Sequence, residues 1–242
     1  SRFLVRDDKP ATENKRVTQY IEESYYSIPA LAISEARREL VRMGREAASV
    51  VSLSAEALLQ EDSRRIDEVI HVEQDLLDPL THEIEYFIDR LMEEQHLSSE
   101  QKERCFQLKA LLIDIERLGD LAENIAQAAR EKIQDQVSFS EGAVTDLLTL
   151  VQHVVETVNL AIDAFEKDDD LLASLVCQRE SDFDHHYYRS RQSHIDRMNA
   201  GICSAEGNVL FTEIIRNLER ISDHADNIGI GVQRHHQLMK AI

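Results

Sequence analysis

The chain has 242 residues and a formal net charge of −19, with seven Gly, three Pro and no Trp. Such an acid excess excludes nucleic-acid phosphates as partners, opposes docking onto anionic lipid, and favours cations. Cys105, Cys177 and Cys203 are widely spaced and odd in number, which points to a reducing compartment and no thiolate metal site.

Residues 1–26 show no periodicity and read as a linker or arm, and no apolar run approaches the ~18 residues of a spanning helix. Its first 16 residues hold Arg2, Arg6, Lys9, Lys15 and Arg16 against Asp7, Asp8 and Glu13. A basic lead on an acidic body, starting Ser1-Arg2 rather than with Met, is expected of the cytoplasmic flank of a membrane segment in a longer polypeptide. An ordinary solvated tail has the same charge.

Ser27-Ile28-Pro29 starts a first helix running from about residue 30 to Asp62, with Ala36, Leu40, Met43, Ala47, Val50, Ser54 and Ala57 on its seam. A second carries Ile66, Ile70, Glu73, Leu77, Leu80, Ile84, Phe87 and Leu91, with Pro79 predicting a kink or break in its middle. Ser98 and Gln101 form a capping box for a third helix to about Gln134, with Leu108, Leu112, Ile115, Gly119, Ala122, Ala126 and Ala129 inward. Ser138 and Glu141 make another box for the fourth, which buries Val144, Leu147, Val151, Val154, Val158, Ala161 and Phe165 up to a turn at Glu166–Asp170. The fifth opens on Leu172, Leu175 and Val176 and becomes polar from Glu180 to His186. After a turn at Gly201–Ser204, the sixth places Phe211, Ile214, Leu218, Ser222, Ala225 and Val232 inward. The expected fold is all-α: two tandem three-helix bundles, over residues 30–136 and 137–242, after an arm at 1–29.

One pattern occurs twice, 103 residues apart. Glu116, Asp120 and Glu123 recur as Glu219, Asp223 and Asp226 within E-R-x-x-D-x-A-[ED]-N-I. Positions i, i+4 and i+7 share a helix stripe, so each copy aligns three carboxylates at the flank of a buried face. A single E-x-x-x-D most often belongs to a solvated face. The repetition, together with its small and Asn neighbours, points instead to ligation of hard or borderline cations such as magnesium, manganese, iron or zinc. Glu73 and Glu180 stand on otherwise apolar seams, with Asp184 one turn beyond Glu180. These three either complete a metal shell or face a wet groove. His224 steps onto a different side from its neighbouring stripe, and the pairs His185-His186 and His235-His236 read as surface histidines.

The strings Ile115-Glu116-Arg117-Leu118-Gly119-Asp120-Leu121-Ala122-Glu123-Asn124-Ile125 and Leu218-Glu219-Arg220-Ile221-Ser222-Asp223-His224-Ala225-Asp226-Asn227-Ile228 resemble the doubled signature of the PhoU family. The resemblance covers roughly residues 35–236. It implies multinuclear metal clusters, of iron or zinc first and of magnesium, manganese or nickel otherwise, and a regulatory rather than catalytic role in phosphate uptake. The lead from Tyr25 to Gly44 is similar to the segment joining the membrane part of sodium/phosphate cotransporters to a C-terminal PhoU-like domain. That implies a transport domain of the same polypeptide as partner, a place on the cytoplasmic side of the inner membrane, and a homodimer as a further association. The alternative is a free-standing regulator of an ABC phosphate transporter and its sensor kinase. Leu121 stands where the family's first motif has His, which marks bundle one as the weaker metal binder.

Two other classes compete with these. A carboxylate-bridged di-metal oxidoreductase needs Glu-x-x-His, which Glu93-Glu94-Gln95-His96 offers at a helix end. A metal-free helical adaptor needs none of the acids.

Overall fold

The computed structural model describes residues 16–93 and 97–240, with side chains to residue 235. Helix α1 spans Pro29–Gln60, α2 Ser63–Val72, α3 Asp78–Glu93, α4 Ser99–Gln134, α5 Glu141–Lys167, α6 Asp170–Asn199 and α7 Ala205–Lys240. A π turn, Glu73–Leu77, joins α2 to α3 without interruption, giving six long helices and no strand among the described residues. The expected all-α architecture is present: α1, α2–α3 and α4 form one bundle, and α5, α6 and α7 the other.

Each helix end has a local cause. Pro29 occupies the first turn of α1. Ser98 and Gln101 make the reciprocal capping box expected at α4. The box expected at Ser138 is displaced: Ser140 accepts the Ala143 N–H and α5 starts beside it. Asp168 turns left-handed to end α5, and Asp169 caps α6 through the N–H groups of Leu171 and Leu172. Gly201, at φ 68°, makes the last turn.

The predicted seams are buried except for Ile70 and Leu172, which are half-buried, and two residues that are exposed. Val144 is 40% exposed, because Ala143 and Leu147 take the inward positions on α5; Leu175 is 44% exposed, flanked by the buried Ala173 and Val176 on α6. The break expected at Pro79 does not occur. Pro79 has no N–H to give back to the preceding turn, and its ring would press on the carbonyl four residues earlier. The widened π turn, in which Asp78 N–H reaches Glu73 O, takes up this mismatch while the chain stays helical.

Helix α1 also packs on α5, and α4 on α7, so the hydrophobic core runs through both bundles. Gly44 lies at the crossing of α1 and α5: a Cβ there would sit 2.9 Å from Ile162 Cδ1 and 3.6 Å from Ile115 Cδ1. Ile115 and Ile162 are fully buried. Gly44→Val is therefore expected to cost about 1–3 kcal/mol through overpacking, read by urea denaturation. An unchanged midpoint would show that the crossing can open.

Residues 16–28, within the arm, lie along α1 and α3. Glu39, fully buried, accepts the N–H groups of Gln19 and Tyr20 at 2.8 and 2.6 Å. Thr18 donates to Glu83, Tyr26 stacks on Phe87 at 4.9 Å, and Ile21 is buried. The basic residues at 2, 6, 9 and 15 lie outside the described residues, as does most of the Glu93–His96 stretch.

Candidate metal centres

Core packing sets the position of both acid stripes. On α4, Ile115, Leu118 and Ala122 are fully buried, which turns Glu116, Asp120 and Glu123 to the flank as half-buried side chains. On α7, Leu218, Ile221 and Ala225 do the same for Glu219, Asp223 and Asp226, of which Asp223 is the most exposed.

In the first bundle the stripe faces the π turn. Gly119 allows the approach: a Cβ there would come 2.8 Å from Leu77 Cδ1. Glu73 is only 4% exposed, and Glu73, Asp78 and Asp120 each offer a carboxylate oxygen within 4.8 Å of the other two. Burial first, then the charges of Asp78 and Glu123, push the Glu73 carboxyl up to about 8. Burial and Asp120 also raise Glu116, partly offset by Arg117. Arg117 lies 2.8 Å from Asp120 and 3.5 Å from Glu116, a counter-charge at the rim. Glu123 accepts hydrogen bonds from Gln74 and Gln127.

In the second bundle the stripe faces Glu180 and Asp184 of α6. Burial, followed by Asp184, Asp226, Asp223 and Glu219, pushes Glu180 up to about 6. Burial and Asp184 raise Asp223, while burial, Asp223 and Asp184 raise Glu219. Burial first, then Asp226, pushes the Cys177 thiol up to about 12. Asp226 Oδ1 is buried and has no hydrogen-bond partner among the described residues.

The two sites share one design. Glu180 and Asp184 lie one α turn apart, and Glu73 and Asp78 one π turn apart, so the widened turn aligns an i,i+5 pair much as an α turn aligns i,i+4. Of the nine acids named from the sequence, Glu73 and Asp120 meet with Asp78 in the first bundle, and among the described residues no other three carboxylates come as close. Glu116 and Glu123 flank that set, and Glu180 and Asp184 act electrostatically on Glu219, Asp223 and Asp226. Asp78 was not among the nine; the Glu-x-x-x-x-Asp spacing just ahead of Pro79 was its only signal. His224 stays apart from the stripe, as its helical position implied. Its Nδ1 lies 2.9 Å from Asp114 Oδ1, to which Asn227 also donates, joining α4 and α7. His185 is exposed, with Nδ1 against Ser181 O.

Each group consists of hard oxygen donors. The mutual repulsion, the raised carboxyls and the unpartnered Asp226 oxygen all fit a hard or borderline cation. The set contains neither a histidine nor a thiolate.

Fold and site together define an all-α protein of two tandem three-helix bundles, each holding a carboxylate cluster between two of its helices. The PhoU domain matches residues 40–129 and again 147–230, and the chain belongs to the PhoU family. It is 28% identical over 201 residues to the phosphate-specific transport system accessory protein PhoU homolog of Clostridium acetobutylicum, covering 81% of this chain and 88% of that one. It is 20% identical over 221 residues to YjbB of Escherichia coli, named as a candidate inorganic phosphate export protein, covering 90% of this chain and 40% of that protein. The crystal structure of PhoU from Pseudomonas aeruginosa is similar with a TM-score of 0.79 and 23% identity, covering 84% of this chain and 96% of that one.

Proposed function

We propose that the chain is a PhoU-type regulator of inorganic phosphate transport that holds divalent or trivalent cations on its two carboxylate clusters and acts by contact rather than catalysis. What supports this reading is the convergence of Glu73, Asp78 and Asp120 within 4.8 Å in the first bundle, with a looser facing of acids in the second, on a fold whose relatives are named for phosphate transport. Glu73, Asp78, Glu116, Asp120 and Glu123 would hold cations in the first bundle, and Glu180, Asp184, Glu219, Asp223 and Asp226 in the second. The all-oxygen donor set suits magnesium and manganese most directly, and iron, zinc and nickel are the other cations to test. A bound cation supplies positive charge to a groove that otherwise repels anions. The protein's part is to set the donors at fixed spacing and to keep Glu73 and Asp226 shielded from water.

Elemental analysis of the wild type beside a Glu116/Asp120/Glu219/Asp223→Ala variant tests the cation assignment. The wild type should retain metal through dialysis and the variant should lose most of it. Equal content in both would end the assignment.

Two arrangements realise the regulation. Relatives named as accessory proteins of a phosphate-specific transport system match across most of both chains, which favours an accessory role beside a separate transporter. The YjbB match, nearly all of this chain against 40% of that protein, supports the second arrangement, attachment to a transport domain. No helix among the described residues is long and apolar enough to cross a membrane. Reading the gene upstream of Ser1 separates the two, since spanning helices there would select the attached form.

A further inference from the structure

A different set of donors lies on the far side of α6 from the acid cluster of its bundle. Glu180 and Asp184 face the α7 stripe. Asp182 and His186, each two residues further along, are turned by about 200° and lie on the side toward α5. There His186 meets His153 of α5, with ring centroids 5.6 Å apart and planes inclined at 48°. Both rings are half-buried, although the His185-His186 pair reads as a surface feature in the sequence.

His153 Nδ1 is buried and has no hydrogen-bond partner among the described residues. Buried polar atoms are normally satisfied, so this one points to a partner that the chain itself does not supply. The rings beside His153 are Phe183, at 5.8 Å, and His186, and only His186 brings a donor atom that could share an ion with it. A zinc ion about 2.0–2.1 Å from one nitrogen of each imidazole lies roughly 3.2 Å from each ring centre, and a tetrahedral angle then separates the centres by about 5.2 Å. The observed 5.6 Å is a small side-chain adjustment from that value.

The surrounding charge suits a cation. Arg179 donates to Thr157 Oγ1, to the His153 carbonyl and, at 2.6 Å, to Glu156, so its charge is paired. Asp182, exposed and one turn before His186 on the same face, brings a carboxylate into reach. Burial, then Arg179 and His186, hold the His153 imidazole below its ordinary value, against Asp182 and Glu156. The ring is therefore unprotonated at neutral pH, as a ligand must be.

We propose that His153, His186 and Asp182 form a third cation site, for a borderline ion that favours nitrogen, such as zinc, nickel or copper(II), over the hard ions that suit the acid clusters. Since His153 belongs to α5 and the other two to α6, the ion would cross-link these helices on the side away from the α7 stripe. The site goes beyond the regulator reading and does not need the acid clusters to be occupied.

The test is a zinc titration of the full chain in excess magnesium, which competes for the carboxylate clusters. Long-range proton–nitrogen NMR spectra of the imidazoles should show His153 and His186 shifting together, with one midpoint, at or below about millimolar zinc. His153→Ala and His186→Ala should each weaken binding by about tenfold or more and leave the other ring unmoved, and Asp182→Asn should weaken it by a smaller factor. If His153→Ala does not fold, His186→Ala, on a half-buried helix face, gives the same reading. Because the imidazoles themselves are the readout, the cluster assignment can fail while this site stands, and the reverse. Imidazoles unmoved by zinc, one ring moving without the other, or affinity unchanged by the histidine substitutions would each overturn the proposal.

Discussion

Replacing Glu39 with Ala is expected to detach residues 16–28 from the first bundle and to lower stability by about 3–5 kcal/mol, the usual cost of removing one partner from a buried ion pair. Glu39 is fully buried, and one oxygen takes two backbone N–H groups, from Gln19 and Tyr20. The other takes Arg42 Nε at 2.7 Å, while Arg42 Nη2 reaches Val17 O. Alanine leaves a largely buried guanidinium without its carboxylate and two amides without acceptors. Those groups recover water only if the segment lifts away, which uncovers Ile21 and parts Tyr26 from Phe87. The loss is therefore capped by whichever is cheaper, the buried defect or the detachment. Hydrogen exchange at the Gln19 and Tyr20 amides distinguishes them, with fast exchange expected in Glu39→Ala and partial protection in Glu39→Gln, which keeps one acceptor. Native protection of both amides in the alanine variant would refute the account.

This clamp shows where sequence reasoning stops. The long seams are periodic, and periodicity follows directly from burying one face of a helix, so α1, α4, α5 and α7 were legible to within a few residues. So were the acid stripes, since an i, i+4, i+7 set needs only helical geometry to align it. The contact of residues 16–28 has no period: it depends on one carboxylate twenty residues away meeting extended backbone. Glu73 and Glu180 were visible as acids on apolar seams, but only the fold shows that each faces the stripe of its own bundle. Asp78 was hidden because i+5 places it off the face of an ordinary α-helix, and the π turn that returns it follows from Pro79 in a packed context. The pairing of His224 with Asp114 depends on how α4 meets α7, which neither helix encodes alone. Val144 was misplaced because Ala143 and Val144 offer two overlapping seams, and the smaller residue won the tight position.

Metal-free protein is expected to lose stability as pH rises from about 4.5 to about 8, with Glu73 the largest single source above pH 6.5. Its carboxyl is held at about 8 in the folded chain by burial and by Asp78 and Glu123. Between the ordinary glutamate value and that one, the unfolded chain has released the proton and the folded chain keeps it. Folding then takes up a proton, so stability falls with pH by up to about 1.4 kcal/mol per unit and levels off above pH 8. Glu180, pushed only to about 6, has the same sign but is mostly spent by pH 6.5, so the window from 6.5 to 8 isolates Glu73. Urea titrations across that window in excess chelator should give a falling line for the wild type and a nearly flat one for Glu73→Gln. Cation binding needs the ionised carboxylate, so loading at pH 7 should release on the order of one proton, read by calorimetry in two buffers of different ionisation enthalpy. The glutamine variant should release fewer protons and bind more weakly. Parallel slopes for the two proteins would show that Glu73 ionises normally and that the π turn does not bury a cation ligand.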